Sequence, residues 1–130
     1  MKTTRHNQRK SKPQGSYAAK LLFQFRVMVG GSPGKRRFCE ERIITFSADY
    51  GRAALREAKR RGRAAQQSYK NSDGNPVHFE FIGVIELLRL DPACEPGEVW
   101  CELGERVCPM ERRASIIPRE SQLSAIRNHE

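Results

Sequence analysis

Hydrophobic and polar positions alternate through the run YAAKLLFQFRVMV. Tyr17, Ala19, Leu21, Phe23, Phe25, Val27 and Val29 share one parity, while Lys20, Gln24 and Arg26 fall on the other. A period of two belongs to a strand with one buried face. GGSPGK, residues 30–35, interrupts it with three glycines and a proline in a hairpin-length loop. RRFCEERIITFS alternates again, with Phe38, Ile44 and Phe46 on one face. Glu40 and Arg42 fall on that face too, so its inward direction stays open. These two runs predict an antiparallel hairpin.

A change of period follows. Ser47 fits a helix N-cap, and Asp49 fits a first turn where its charge suits the helix dipole. From there to about Tyr69 the spacing is helical, with Leu55, Ala58, Gly62, Ala65 and Tyr69 three or four apart and Arg52, Arg56, Lys59, Arg60 and Arg63 opposite. The small residues of that stripe let a helix lie close to a sheet. Gly62 costs about 1 kcal/mol relative to Ala in a helix interior. NSDGNP, residues 71–76, is the strongest turn signal and leads into VHFEFIGVIELLRL, apolar on both parities. Such a run predicts a central strand buried on both faces. DPACEPG (91–97) turns the chain into a short strand, EVWCEL (98–103), with Val99, Cys101 and Leu103 on one parity. After Pro109 only Leu123 and Ile126 mark an amphipathic turn or two.

The order is β-β-α-β-β, and the expected fold class is α+β: one domain with a mostly antiparallel four-stranded sheet and one helix packed on a face. The domain is expected over 16–108, with a disordered basic tail at 1–15 and a polar tail at 109–130 that has room for one short helix.

This order of pieces resembles a small bacterial family known as a domain of unknown function, number 4288. The resemblance rests on YAAKLLFQFRV in the first strand, CEERIITFSA before the helix, the Ala-rich helix with YKNSDGNPVHFEFIGVIELL after it, and EVWCEL in the last strand. It covers roughly residues 16–104 and excludes both tails. It implies the fold and carries no activity to any position. The basic N-terminus and the Cys-containing C-terminal region depart from the pattern, so a function housed there would be particular to this chain.

Composition narrows the classes. At 130 residues there is room for one modest core, and a mean hydropathy of −0.70 is that of a polar, soluble chain. No apolar run approaches a membrane span, and the basic first fifteen residues lack a secretory apolar stretch, so the expected location is cytoplasmic. The net charge of +9 is unevenly laid out. Residues 1–39 hold ten Lys or Arg and no acid, 49–63 hold six against two acids, and 77–111 reverse to eight acids against two arginines. Polarised charge speaks to partners rather than fold.

Candidate chemistry is sparse. Cys94, Cys101 and Cys108 stand seven apart and Cys39 is distant, unlike the C-x2-4-C pairs of zinc sites, so no metal or other cofactor is expected. A Cys94–Cys108 disulfide is conceivable, but free thiols are the expectation for an intracellular chain. Glu40 and Glu41 point to opposite faces of a strand, and Glu80 and Glu86 are about 20 Å apart along one, too far to act on one bond. His6 and His129 lie in the tails and His78 at a strand start. GGSPGK lacks the GKS or GKT of a P-loop and joins two strands. No catalytic residue is therefore assigned, and a non-enzymatic role is favoured over an unrecognised enzyme.

Basic residues remain. Lys35, Arg36 and Arg37 at the hairpin, with Arg52, Arg56, Arg60 and Arg63 on the helix, are the candidate contacts to a nucleic-acid backbone, RNA or DNA, aided by the basic tail. The phenylalanines are needed for the core, so little base readout is expected. The alternative is a protein-interaction module of immunity or regulatory type. An edge strand also leaves room for a homodimer.

Overall fold

A computed structural model describes residues 15–90 and 97–127, with backbone only for 97–103. Strands β1 (Gly15–Val27) and β2 (Arg36–Ala48) form the expected hairpin, in a register that sets Gly15 opposite Ala48 and Gln24 opposite Cys39. Helix α1 (Gly51–Ala64) follows, then β3 (Gln67–Lys70), β4 (Pro76–Leu90) and β5 (Gly97–Val107). The chain continues through the single-turn helices α2 (Arg113–Ile116) and α3 (Ser124–Arg127), separated by a 3-10 turn at Glu120–Gln122. Strand order is β3-β4-β1-β2-β5, with every pairing antiparallel. The fold is α+β in one domain. Its sheet has five strands rather than the expected four, and short helices join the long one. No helix among the described residues is long and apolar enough to cross a membrane.

The extra strand is β3, exposed along its whole length and so without apolar alternation. Backbone pairing forms it. Asn71 Oδ1 accepts the amides of Asp73 and Asn75, Gly74 takes φ +82°, and the chain reverses to set Tyr69 opposite Val77. The helix consequently stops at Ala64, short of Tyr69. It also starts later than expected. Tyr50 is the N-cap in extended backbone, no side chain caps the helix, and no acid lies in the first turn, so neither Ser47 nor Asp49 does the work assigned to it.

On β2 the even positions face α1. Ile44 and Phe46 are buried beneath the helix. Beyond it, Arg42 reaches back to Glu40 (Nε to Oε2, 2.6 Å) and lies 4.9 Å over the Phe23 ring, so the polar pair sits on the core face. Phe38, further along, is 58% exposed.

The double-sided apolar character of β4 has two sources. Ile82 and Ile85 are each skipped in the pairing with β1, as bulges. Each bulge shifts the parity by one, so Phe79, Phe81, Val84 and Leu87 all stand opposite odd residues of β1 and face α1. On the other face Leu22, Cys39 and Ile82 form a second small core under Met110, Ile116 and Ile117. The segment after β5 supplies that cover, then sends Leu123, Ala125 and Ile126 into the main core beneath α1. Residues 109–127 are thus packed against the domain on both faces. The basic N-terminal tail lies outside the described residues.

Candidate functional site

Strand β3 pairs only with Pro76–Phe79, so β4 from Glu80 onward has a side with no neighbouring strand among the described residues. The C-terminal segment crosses that side. Glu86 accepts from both the amide and the hydroxyl of Ser124 at 3.1 and 3.2 Å, and the carboxamide of Gln66 accepts the Phe81 amide at 2.9 Å. Gln66 thereby satisfies an edge amide that a strand would otherwise pair, and Glu86 ties the crossing segment to β4.

A groove of about 540 Å³ remains between α1, this stretch of β4 and the crossing segment. Lys59, Arg63 and Gln66 line one wall, Arg113 and Glu120 the other, and Phe81 to Val84 the floor. Glu120 takes Lys59 Nζ at 2.6 Å and Arg52 Nη1 at 3.3 Å. Its hydrogen bond from Lys59 holds its carboxyl below the usual carboxylate range. Among the described residues no carboxylate reaches Arg63, and Arg113 has only the Met110 thioether at 3.8 Å.

The seven cations singled out from the sequence meet different fates. Lys35, Arg36, Arg56 and Arg63 are exposed. Arg56 donates to the Tyr50 hydroxyl at 3.1 Å, Arg60 is forked onto Glu57, and Arg52 shares Glu120. Glu57 answers Arg60 and then Arg61, which hold its carboxyl down at about 2. Arg37 is the exception to a basic surface. It is only 5% exposed, on the face away from α1, and donates to Glu111 through both terminal nitrogens at 3.0 Å, to Gln24 Oε1 at 3.1 Å and to the Gly34 carbonyl at 2.9 Å. Four of its five N–H donors are engaged within the fold, and the buried fork is not offered to a phosphate. Gln24 passes the network on to Glu80, which also binds Arg26 through both oxygens, at 3.0 and 2.8 Å.

Lys59, Gln66 and Arg113 complete the groove, and sequence reasoning did not assign them to a site. Lys59 was legible on the helix face. Arg113 was not, because nothing in a polar C-terminal stretch says which part of the sheet it will meet. Other constellations stay apart. Glu41 lies on the opposite face from Glu40 and binds Lys20 and Arg106 at 3.6 and 3.0 Å. His78 Nδ1 and Ser68 Oγ are 2.7 Å apart where β3 pairs with β4, but the carboxylate two residues on, Glu80, is committed to Arg26 and Gln24. Cys39 is buried and Cys108 half-buried, both as free thiols, while Cys94 lies outside the described residues and Cys101 is described only in its backbone. Among the described residues no three His, Cys, Asp or Glu side chains converge.

The family model described as Domain of unknown function (DUF4288) matches residues 16–100. The chain belongs to the DUF4288 family. No curated protein and no solved structure matches it. The DUF4288 match runs from β1 into β5, so it includes Lys59, Arg63, Gln66 and the β4 floor but ends before Arg113 and Glu120. One wall of the groove is DUF4288 sequence, and the other is supplied by the segment that follows it.

Proposed function

We propose that this DUF4288 protein is a non-enzymatic binding or accessory protein whose basic side takes the backbone of a nucleic acid. The carrying observation is convergence: the C-terminal segment brings Arg113 to the groove already lined by Lys59 and Arg63. Helix α1 adds Arg52, Arg56, Arg60 and Arg61, set against Glu57 within the helix and Glu120 beside it. Guanidinium groups match phosphate geometry, and contacts to phosphate carry no direct sequence information, so backbone contact with weak sequence preference is the expected mode.

Fluorescence anisotropy of the full chain with labelled single-stranded and duplex oligonucleotides tests this. Affinity should fall steeply between about 50 and 200 mM salt, and each of Arg56→Gln and Arg63→Gln should flatten the log–log slope by about 1. Absence of binding at low salt, or binding indifferent to salt, would overturn it.

A second reading, a protein-interaction module, draws on β5. It ends the sheet order, and its outer side pairs with no described strand of this chain. An exposed edge can accept a strand from a partner or a second copy. Salt-insensitive association with one protein, surviving nuclease, would favour it over the first.

A further inference from the structure

The groove beside β4 is more than part of a charged surface, because its rim and floor differ in chemistry. The rim holds Arg63 and Arg113, two guanidinium groups that no carboxylate of the described residues pairs, the rim's Glu120 being taken by Lys59 and Arg52. Like charges facing one cleft repel, and a dianion between them relieves that repulsion while accepting both forks. Glu120, seated on Lys59 and Arg52, shows that this rim accommodates an oxyanion in hydrogen-bond geometry. Gln66 is also prepared. Its oxygen accepts the Phe81 amide at 2.9 Å, which leaves its NH2 group to donate. The floor is apolar, with Leu55, Val84 and the half-buried Phe81 ring. About 540 Å³ lies within the range of small-ligand pockets.

We infer that this groove is a nucleotide subsite, with a phosphate held between Arg63 and Arg113 and a base against the Phe81 floor. The inference rests on the nucleic-acid reading and narrows it to one unit: the terminal nucleotide of a strand or a free mononucleotide, which share this chemistry. Base contact with an aromatic floor is sequence-tolerant, because every base offers a flat apolar face.

The test uses the full chain and a short 3′-labelled single strand, with either a 5′-phosphate or a 5′-hydroxyl, followed by anisotropy. Adenosine monophosphate and inorganic phosphate serve as competitors. Arg113→Gln and Arg63→Gln are compared with Arg56→Gln, which lies on α1 outside the groove, and melting curves confirm that each variant is folded. The phosphorylated strand should bind more tightly, and Arg113→Gln should weaken it roughly tenfold or more, as for a lost charge-assisted hydrogen bond. The same variant should weaken the hydroxyl strand far less, by no more than Arg56→Gln does, and the mononucleotide should compete better than phosphate.

If both strands bind alike and Arg113→Gln costs no more than Arg56→Gln, the subsite is overturned while the general backbone reading stands. If neither strand binds, that broader reading falls, and direct calorimetric titration with the mononucleotide decides the groove. Saturable binding abolished by Arg113→Gln identifies a free nucleotide as the ligand, and no binding overturns the subsite as well.

Discussion

Replacing Gly62 by Ala sets two effects against each other at one helical residue. Propensity alone favours Ala by about 1 kcal/mol in a helix interior. A methyl at position 62, however, would lie less than 3.0 Å from three ring carbons of Phe81. Carbon atoms prefer roughly 3.5–4.0 Å. The ring has little freedom to yield, since it packs at a tilt on Phe23 with centroids 5.6 Å apart. The helix must therefore lift from β4, and overpacking of this kind costs about 1–3 kcal/mol. The net expectation is destabilisation centred near 1 kcal/mol, opposite in sign to the propensity effect. Phe81→Leu removes the obstructing ring edge. In that background Gly62→Ala should stabilise by up to about 1 kcal/mol, giving a coupling of roughly 1–3 kcal/mol. Urea unfolding of the four proteins, followed by circular dichroism, measures this through midpoints at unchanged m. Equal stabilisation by Gly62→Ala in both backgrounds would refute the close approach of α1 to β4.

Arg37→Met keeps much of the buried volume but leaves Gln24 Oε1 without a donor, and should cost about 1–3 kcal/mol in urea unfolding. It should also speed trypsin cleavage after Arg112 and Arg113, because Glu111 loses its anchor; an unchanged cleavage rate would count against the clamp. Glu57 has a folded-state pKa near 2, below its ordinary 4.5, owing first to Arg60 and then to Arg61. Its stabilisation is therefore complete above about pH 4.5 and is lost as pH falls through about 2, so melting curves of Glu57→Gln and the parent should converge toward pH 2 and separate at neutrality. Parallel curves would remove the ion pair from the account. Burial holds the Cys39 thiol above its usual range, so iodoacetamide mapped by mass spectrometry should label half-buried Cys108 well before Cys39, and equal rates would contradict the second core. Leu123→Ala, at a position 2% exposed beneath α1, should cost about 2–5 kcal/mol, whereas a solvated tail would lose nothing measurable.

What was legible from the sequence was whatever local periodicity controls. The β1–β2 hairpin follows from alternation in Tyr17–Val29 and the glycines after it, and the close helix from the small stripe through Ala58 and Gly62. β3 was invisible because its four residues are exposed and its one large apolar residue, Tyr69, fell in step with the helical stripe, while backbone pairing set by the Asn71 turn makes the strand. The helix start was misassigned because Ser47 and Asp49 have suitable chemistry, yet β2 runs on through Ala48 and takes up Ser47, and Asp49 falls before the Tyr50 N-cap, outside the first turn. Arg37 looked like its neighbours Lys35 and Arg36, and only the parity of β2 turns it inward to Gln24 and Glu111. For the groove, the helix wall could be read along α1. The opposite wall depends on where residues 113–123 land, a long-range fact carried by Glu86, Ile117 and Leu123 rather than by any motif.

The two bulges of β4 also have an evolutionary consequence. A bulge residue is surplus to the pairing, so deleting one leaves every other side chain on its own face. Loss of Ile85 would turn Lys20↔Glu86 and Leu21↔Val84 into consecutive ladder pairs, with Val84 and Leu87 still beneath α1. Loss of Ile82 would do the same between Phe81 and Gly83, at the further expense of a residue from the second core. Single-residue gaps among relatives should therefore gather at positions 85 and 82 of β4, and at 85 more often than at 82.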